Sequence, residues 1–258
     1  MIAVKKELLF AFSAFFLMSL HAIAGAFTGQ QEKPVPKIIE TYEEDVTGSG
    51  EKTTIILKGI PFDNESSYLK TIWADVQLSK NSTTRIDYDP GYDPKIEFID
   101  LNHDGVKDLL ESSATGGSGG FHSYRLITLK DGKEKVIPMP PSLQIQGQFE
   151  DRYQASIYIP ETNQRYKVDL SERKEDYDRL GIYKNGTLNE PYELMISPTS
   201  YFKPVKIKGK PGYGLVGYQQ VSGAYHADGI GIAESYWYYE NGKWQLLHVK
   251  WIPYNKQK

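Results

Sequence analysis

Two-residue turn signals recur along the chain at Lys80-Asn81-Ser82, Lys130-Asp131-Gly132, Lys184-Asn185-Gly186 and Glu240-Asn241-Gly242, in steps of 50, 54 and 56 residues. Asn-Gly and Asp-Gly accept the positive φ angles of a type I′ hairpin, so each signal predicts two antiparallel strands joined tightly. A second marker is a turn that follows an apolar stretch. It occurs as Asp45-Val46-Thr47-Gly48-Ser49-Gly50, as Asp100-Leu101-Asn102-His103-Asp104-Gly105, and as Lys206-Ile207-Lys208-Gly209-Lys210. Its starts lie 55 and then 106 residues apart, the second step being two periods. Two independent markers sharing one period predict four copies of a unit of roughly 50 residues. Such a unit holds about four short strands, the size of a propeller blade. In the fourth copy the strands are expected at 202–207, 214–221, 232–239 and 244–251. The third copy is irregular: it lacks an acidic turn near residue 153, and its polar run from Ser171 to Asp178 reads as a loop or a helical turn. The expected architecture is all-β, a propeller-like array of about four blade-like repeats, with a β-sandwich or an open twisted sheet as the alternative.

The second copy carries the chemistry. Asp100, Asn102, Asp104 and Asp108 fall within nine residues, with Gly105 at the sixth position. Three carboxylates this close repel one another unless a cation joins them, and Ca2+ favours several flexible oxygen ligands. The glycine lets the chain turn sharply back on the ion. Through Glu111 the stretch also satisfies the EF-hand expression. An EF-hand needs flanking helices, however, and Lys95-Ile96-Glu97-Phe98-Ile99 alternates with strand period. After Leu109 to Ala114 the glycines Gly116 and Gly117 leave no room for a helix. The expected site is therefore a Ca2+ loop between strands, with side-chain ligands from Asp100, Asn102, Asp104 and Asp108 and the Val106 carbonyl. The first copy keeps Asp45, Thr47 and Ser49 but has Thr53 where the second has Asp108, a poorer charge match. The last copy has Lys206, Lys208 and Lys210 at acidic positions, and ammonium groups repel a dication. One well-formed calcium site is expected.

A strand, then D-x-N-x-D-G-x-x-D, then a second strand resembles the FG-GAP/VCBS repeat family. The glycine stretches Thr115 to Gly120 and Gly212 to Gly223 resemble secreted bacterial members of that family. The resemblance implies blade-like β repeats and a calcium ion. It implies no single activity, because the family contains adhesins, enzymes and proteins of unknown role.

The start of the chain predicts export. Lys5 and Lys6 precede an apolar run from Leu8 to Leu20, and Ala22-Ile23-Ala24 forms a small-x-small cleavage site, as in a secretory signal peptide. The expected division is a signal peptide over 1–24, a flexible leader over 25–37 containing Pro34 and Pro36, and one repeat-built β domain over 38–258. At 258 residues and 40% hydrophobic content, the chain can bury a full core. It has no cysteine, which fits bacterial export without disulfides. Outside the cell, millimolar calcium would fill even weak sites. A net charge of −3, made more negative by loss of Lys5, Lys6 and Glu7, gives no reason to expect a nucleic-acid partner. No membrane span is expected after cleavage.

Other patterns are weaker. Gly116 to Gly120 matches a nucleophile elbow, and Gly212 to Gly217 matches a dinucleotide fingerprint, but neither is followed by helical sequence. His103, inside the calcium turn, is expected to point outward. His122 and His226 follow corresponding loops, so His122, Tyr225, His226 and Asp228 are the candidate ligand-binding cluster. Alternation places Tyr236 and Tyr238 on one face and Trp237 and Tyr239 on the other, one pair filling the core. Lys203, Lys206, Lys208 and Lys210 are expected to keep a sheet edge solvated. The function these features support is a secreted, non-catalytic calcium-binding protein, an adhesion or ligand-binding module at the cell surface. Candidate partners are a cell-wall polymer, a glycan or a surface protein. The alternative is an extracellular hydrolase acting on polysaccharide or peptide, using Asp228 with His226.

Overall fold

The computed structural model describes residues 35–79 and 81–254. The proposed signal peptide, and the leader as far as residue 34, lie outside the described residues. The chain divides after Val35, and the unit from Pro36 onward carries every element below. It is all-β. The first meander holds β1 (Lys37–Glu44), β2 (Thr53–Pro61), β3 (Leu69–Ser79) and β4 (Ser82–Tyr88). The second holds β5 (Tyr92–Ile99), β6 (Asp108–Ala114), β7 (His122–Thr128) and β8 (Lys135–Ile137). In each, every strand pairs antiparallel with its sequence neighbour, and neither sheet closes on itself.

The fourth unit repeats this plan with β14 (Met195–Lys206), β15 (Tyr213–Ser222), β16 (Gly229–Glu240) and β17 (Lys243–Pro253). β15, β16 and β17 contain their expected segments and extend them at both ends, whereas β14 starts well before residue 202 and stops one residue short of 207. The third unit departs from the plan, as its sequence indicated. It has three paired strands, β9 (Gln146–Glu150), β10 (Gln154–Ile159) and β11 (Gln164–Asp169). The polar run after them is helical: a single 3-10 turn, Ser171–Arg173, leads into α1 (Lys174–Arg179). Beyond it, β12 (Tyr183–Lys184) and β13 (Thr187–Leu188) form a detached hairpin. The free edge of β9 is covered by residues 192–194, through Phe149 N–H to Tyr192 O at 2.9 Å and Leu194 N–H to Gly147 O at 2.9 Å.

The turn chemistry explains the hairpins. Asn185 and Gly186 both have positive φ, as do Asn241 and Gly242, and as do Asp131 and Gly132. They join β12 to β13, β16 to β17 and β7 to β8. Alternation explains the layers, because β2 buries every second residue completely and β10 does nearly the same. One apolar cluster fills the seam between the first and second meanders, with Ile55, Leu57, Ile72 and Ile86 facing Leu109 and Ile127. The other face of the second meander, Leu110 and Leu126, joins a larger cluster with the third and fourth units, including Ile157, Tyr177, Leu215 and Trp237. Specific contacts then tie the second meander to the fourth and the fourth to the third. Tyr124 Oη donates to Phe202 O at 3.1 Å, and Tyr177 Oη donates to Asp228 Oδ2 at 2.6 Å.

Candidate functional site

The acidic turn joins β5 to β6, and its own side chains build it. Asp100 accepts the amide hydrogens of Asp104 (3.2 Å) and Gly105 (3.0 Å). Asn102 Oδ1 accepts Asp104 N–H at 2.9 Å, and Asp104 Oδ1 accepts Val106 N–H at 3.0 Å. Position by position, the first residue of the turn takes the sixth amide, the third takes the fifth, and the fifth takes the seventh.

The turn between β1 and β2 makes the same three bonds. Asp45 Oδ2 accepts Gly50 N–H at 2.7 Å, Thr47 Oγ1 accepts Ser49 N–H at 3.3 Å, and Ser49 Oγ accepts Glu51 N–H at 3.2 Å. The repeat inferred from spacing is thus reproduced in three bonds at matching positions of two units. Only the second unit puts acids at the fifth and ninth positions, where the first has Ser49 and Thr53.

Asp108, the ninth residue, is fully buried beneath the turn. Its Oδ2 accepts Leu101 N–H (2.9 Å) and Asn102 N–H (3.1 Å), and its Oδ1 accepts Asn102 Nδ2 at 3.1 Å. Burial pushes its carboxyl up to about 6, against the lowering effect of the two amides and with a further push from Asp104. It acts as a strut from below. Asp100, Asn102 and Asp104 are half-buried around the turn, and Val106 packs its side chain inward while its backbone stays in the loop. All of these donors are oxygens, which suits a hard cation. Among the described residues no three His, Cys, Asp or Glu side chains converge as a metal cluster. A cation here would therefore draw on the Asn102 amide and the Val106 carbonyl together with carboxylates. Lys130 stands beside the site, its ammonium donating to Asp104 O at 2.7 Å and lying 3.8 Å from Asp104 Oδ1.

His103 does not point outward. It holds φ +61, and its ring lies against the fourth meander, Nδ1 at 3.0 Å from Tyr239 O and Nε2 at 2.9 Å from Tyr213 O. The ring stacks on Tyr238 with centroids 4.3 Å apart. The sequence hides this because the tyrosines that receive it lie over a hundred residues away.

The candidate ligand cluster divides. His122 packs against Tyr124 and Tyr201 at the β7–β14 seam, with ring centroids 6.2 and 5.3 Å away. Tyr225 and Asp228 instead face the third unit and share a recess of about 280 Å3 with Arg173, Asp176 and Tyr254. Asp228 is buried and bound on both oxygens: Arg173 Nε lies 3.1 Å from Oδ1, and Tyr177 Oη and Ala224 N–H reach Oδ2 at 2.6 and 3.0 Å. Tyr225 Oη donates to Asp176 Oδ2 at 2.9 Å. The His226 side chain is exposed, and its carbonyl accepts from Ser222 Oγ at 3.0 Å. Asp228 is therefore a bonded post for the loop.

The aromatic strand also differs from simple alternation. A bulge between Tyr236 and Trp237 resets the register, so Trp237 and Tyr238, adjacent in sequence, are both buried. Tyr236 is left half-buried, stacked on His248 at 4.1 Å. β14 is an edge strand, with Lys203 and Lys206 exposed along it and Lys208 exposed in the turn that follows. A larger recess, of about 740 Å3, lies over the third unit and is lined by Gln146, Ser156, Tyr158, Arg165, Lys167 and Glu193. There the Arg165 guanidinium sits 3.9 Å above the Tyr158 ring, from the facing position on the neighbouring strand. The half-exposed alternation of β10 and β11 was the only sequence signal for it. No helix among the described residues is long and apolar enough to cross a membrane.

Residues 143–252, the third and fourth units, match the family described as the YybI C-terminal domain. The chain is also similar to the uncharacterized protein YybI of Bacillus subtilis (strain 168), 24% identical over 204 residues, spanning 77% of this chain and 78% of that protein. No solved structure matches. The acidic turn lies outside the segment matched by the family, whereas the Asp228 loop and the recess over the third unit lie within it.

Proposed function

We propose that this chain is a secreted, non-catalytic calcium-binding protein of the FG-GAP/VCBS type, an adhesion or ligand-binding module at the cell surface. Its units form an open, propeller-like array of four blade-like repeats. The observation that carries the calcium reading is the comparison of two turns with one hydrogen-bond plan. The Asp45 turn makes the three bonds with one carboxylate and two hydroxyls, so the plan itself needs no further acids. The additional carboxylates, Asp104 and Asp108, are then a liability to folding unless cations offset them, and the Lys130 ammonium reaches only Asp104, at 3.8 Å. Asp108 makes this plainest, since its carboxyl is fully buried, where a charge is costly even with the three hydrogen bonds it accepts. Asp100, Asn102, Asp104 and the Val106 carbonyl would hold the ion, with Asp108 supporting them from below. A bound Ca2+ would supply charge neutralisation that locks the turn.

The ligand side of the proposal is supported by the two recesses on the third and fourth units. Each combines aromatic rings with charged groups, a lining suited to a glycan, a wall polymer or a surface protein. The hydrolase reading gains nothing from the site, because both oxygens of Asp228 are already engaged. Chelation tests the calcium proposal. At millimolar calcium and a dissociation constant of ~10⁻⁴–10⁻³ M, bound ion adds about 0.5–1.5 kcal/mol of stability. That corresponds to a Tm fall of about 1–5 °C on adding EGTA. Asp104→Ala should abolish the difference, and an EGTA-insensitive melting curve for the unaltered protein would refute the reading.

A further inference from the structure

Strand β6 points Leu109, Glu111 and Ser113 toward the first meander. The Leu109 end of that seam is apolar, joined by Ile127, Leu129 and Val46. The other end is polar and closed. Glu111 is 1% exposed, Ser113 0% and Tyr88 7%. Glu111 Oε1, Ser113 Oγ, Tyr88 Oη and the Nε of Arg125 are all buried without a hydrogen-bond partner. Among the described residues only one other buried side-chain atom, Thr199 Oγ1, shares that condition. Arg125 is the direct cross-strand partner of Glu111, yet its guanidinium reaches toward Glu134, Nη2 to Oε1 at 3.6 Å. Gly91 closes the end of the seam, where a Cβ would come within 2.9 Å of Ser113 Oγ.

Four converging, unpaired polar atoms in one buried place call for an occupant. A metal ion would face the guanidinium of Arg125, and an anion would face a carboxyl. An apolar group would leave all four atoms unpaired. The four atoms are shut off from solvent, so an occupant must be small, neutral, and able to donate and accept. We infer that the polar end of this seam binds ordered water, held by the carboxyl of Glu111, the hydroxyls of Tyr88 and Ser113, and the Nε–H of Arg125. Buried water typically makes about three such bonds.

The acid–base chemistry agrees. Burial, first, and the Asp89 charge push the Glu111 carboxyl up to about 8, while Ser113 and Arg125 lower it. The Ser113 hydroxyl thus lies beside the Glu111 carboxyl and eases its charge. The other ionisable groups around the chamber are Tyr88 and, through it, Tyr42 and Glu134, with Tyr124 beyond. A recess of about 350 Å3, lined by Asp89, Tyr124, Arg125 and Met139, lies on the outer side of the seam.

A high-resolution crystal structure of the protein should show solvent within hydrogen-bond reach of at least two of the four atoms. Tyr88→Phe combined with Ser113→Ala should lose or displace it. In solution, water-to-amide cross-relaxation should be seen at Ser113. The carboxyl carbon of Glu111, assigned by its loss in Glu111→Gln, should titrate far above the ordinary glutamate range. A dry seam with Arg125 Nε bonded directly to Glu111 would overturn the inference, as would a metal ion in the chamber or an ordinary titration of Glu111. These readings concern the unaltered protein, so they hold even if the double variant fails to fold, and none depends on calcium.

Discussion

His103 should act as a pin between the calcium turn and the fourth meander, and replacing it measures how strongly the two are joined. The ring engages two carbonyl oxygens at 3.0 and 2.9 Å and stacks on Tyr238 at 4.3 Å. A neutral imidazole has one N–H and donates to one of the two carbonyls, a hydrogen bond worth about 0.5–1.5 kcal/mol, and the aromatic pair adds about 0.5–1.5 kcal/mol. The sum runs from roughly 1 to 3 kcal/mol, with about 2 kcal/mol as its middle. The replacement must not add backbone strain, because His103 sits at φ +61. Asparagine tolerates that conformation, whereas alanine would not. The expected result is that His103→Asn lowers the urea-unfolding free energy by about 2 kcal/mol in excess EGTA, with the slope unchanged. A double-mutant cycle with Tyr238→Leu should show coupling of about 0.5–1.5 kcal/mol. A loss below about 0.5 kcal/mol, or additivity with Tyr238→Leu, would mean that the ring does not carry the seam.

Three further outcomes are expected. Gly48→Ala places a Cβ 2.7 Å from Val106 Cγ2 at φ +78, whereas Gly50→Ala has the same strain with open space, so the first should be less stable by about 1 kcal/mol in thermal melts. Arg173→Met strips the partner from buried Asp228 and should cost about 3–5 kcal/mol by denaturant titration, with Tyr177→Phe costing less. Because the Glu111 carboxyl is raised from 4.5 to about 8 on folding, the stability due to its neutral form is complete below pH 4.5 and is lost as pH rises toward 8. Glu111→Gln should remove a slope of up to about 1.4 kcal/mol per pH unit in that window and stabilise the protein at pH 8; parallel curves for the two proteins would contradict this.

The parts of the fold legible in the sequence were those decided by local rules. Asn185-Gly186 and Asn241-Gly242 demand positive φ wherever they occur, and both form the expected hairpins. The turn pattern from Asp45 and Asp100 also closes on itself, through side chains bonding amides two to five residues away. What was hidden depends on partners remote in the chain. His103 was expected in solvent because nothing nearby competes for it, and its acceptors are at Tyr213 and Tyr239. The equivalence of loops placed His122 and Tyr225 on one face, but the two loops meet different neighbours, His122 lying against Tyr201 of β14 and Tyr225 against Asp176 of the third unit. Glu111 matched the last position of a calcium motif in sequence, yet β6 alternation turns it away from the turn and into the seam.

The turns also show how the units are related in space, which spacing alone could not. Counting each turn from its first residue, the fourth position of one unit meets the seventh of another. Gly48 lies against Val106, and His103 lies over Gly212, each at a separation that a Cβ on the glycine would violate. The same positional contact therefore relates the first unit to the second and the second to the fourth, a head-to-tail relation of the kind that propagates along an array. The third unit, next in sequence, does not take that place. It has lost the acidic turn, its last hairpin has detached, and α1 fills the chain between. Its bonds run instead to the loop after β15, through Arg173 and Tyr177 to Asp228. Packing order thus follows which units keep a turn able to make the four-to-seven contact, and chain order yields to it. Restricting that contact to glycine at one partner is what lets two backbones approach so closely, so alanine at Gly212 should weaken the second-to-fourth seam as alanine at Gly48 weakens the first-to-second.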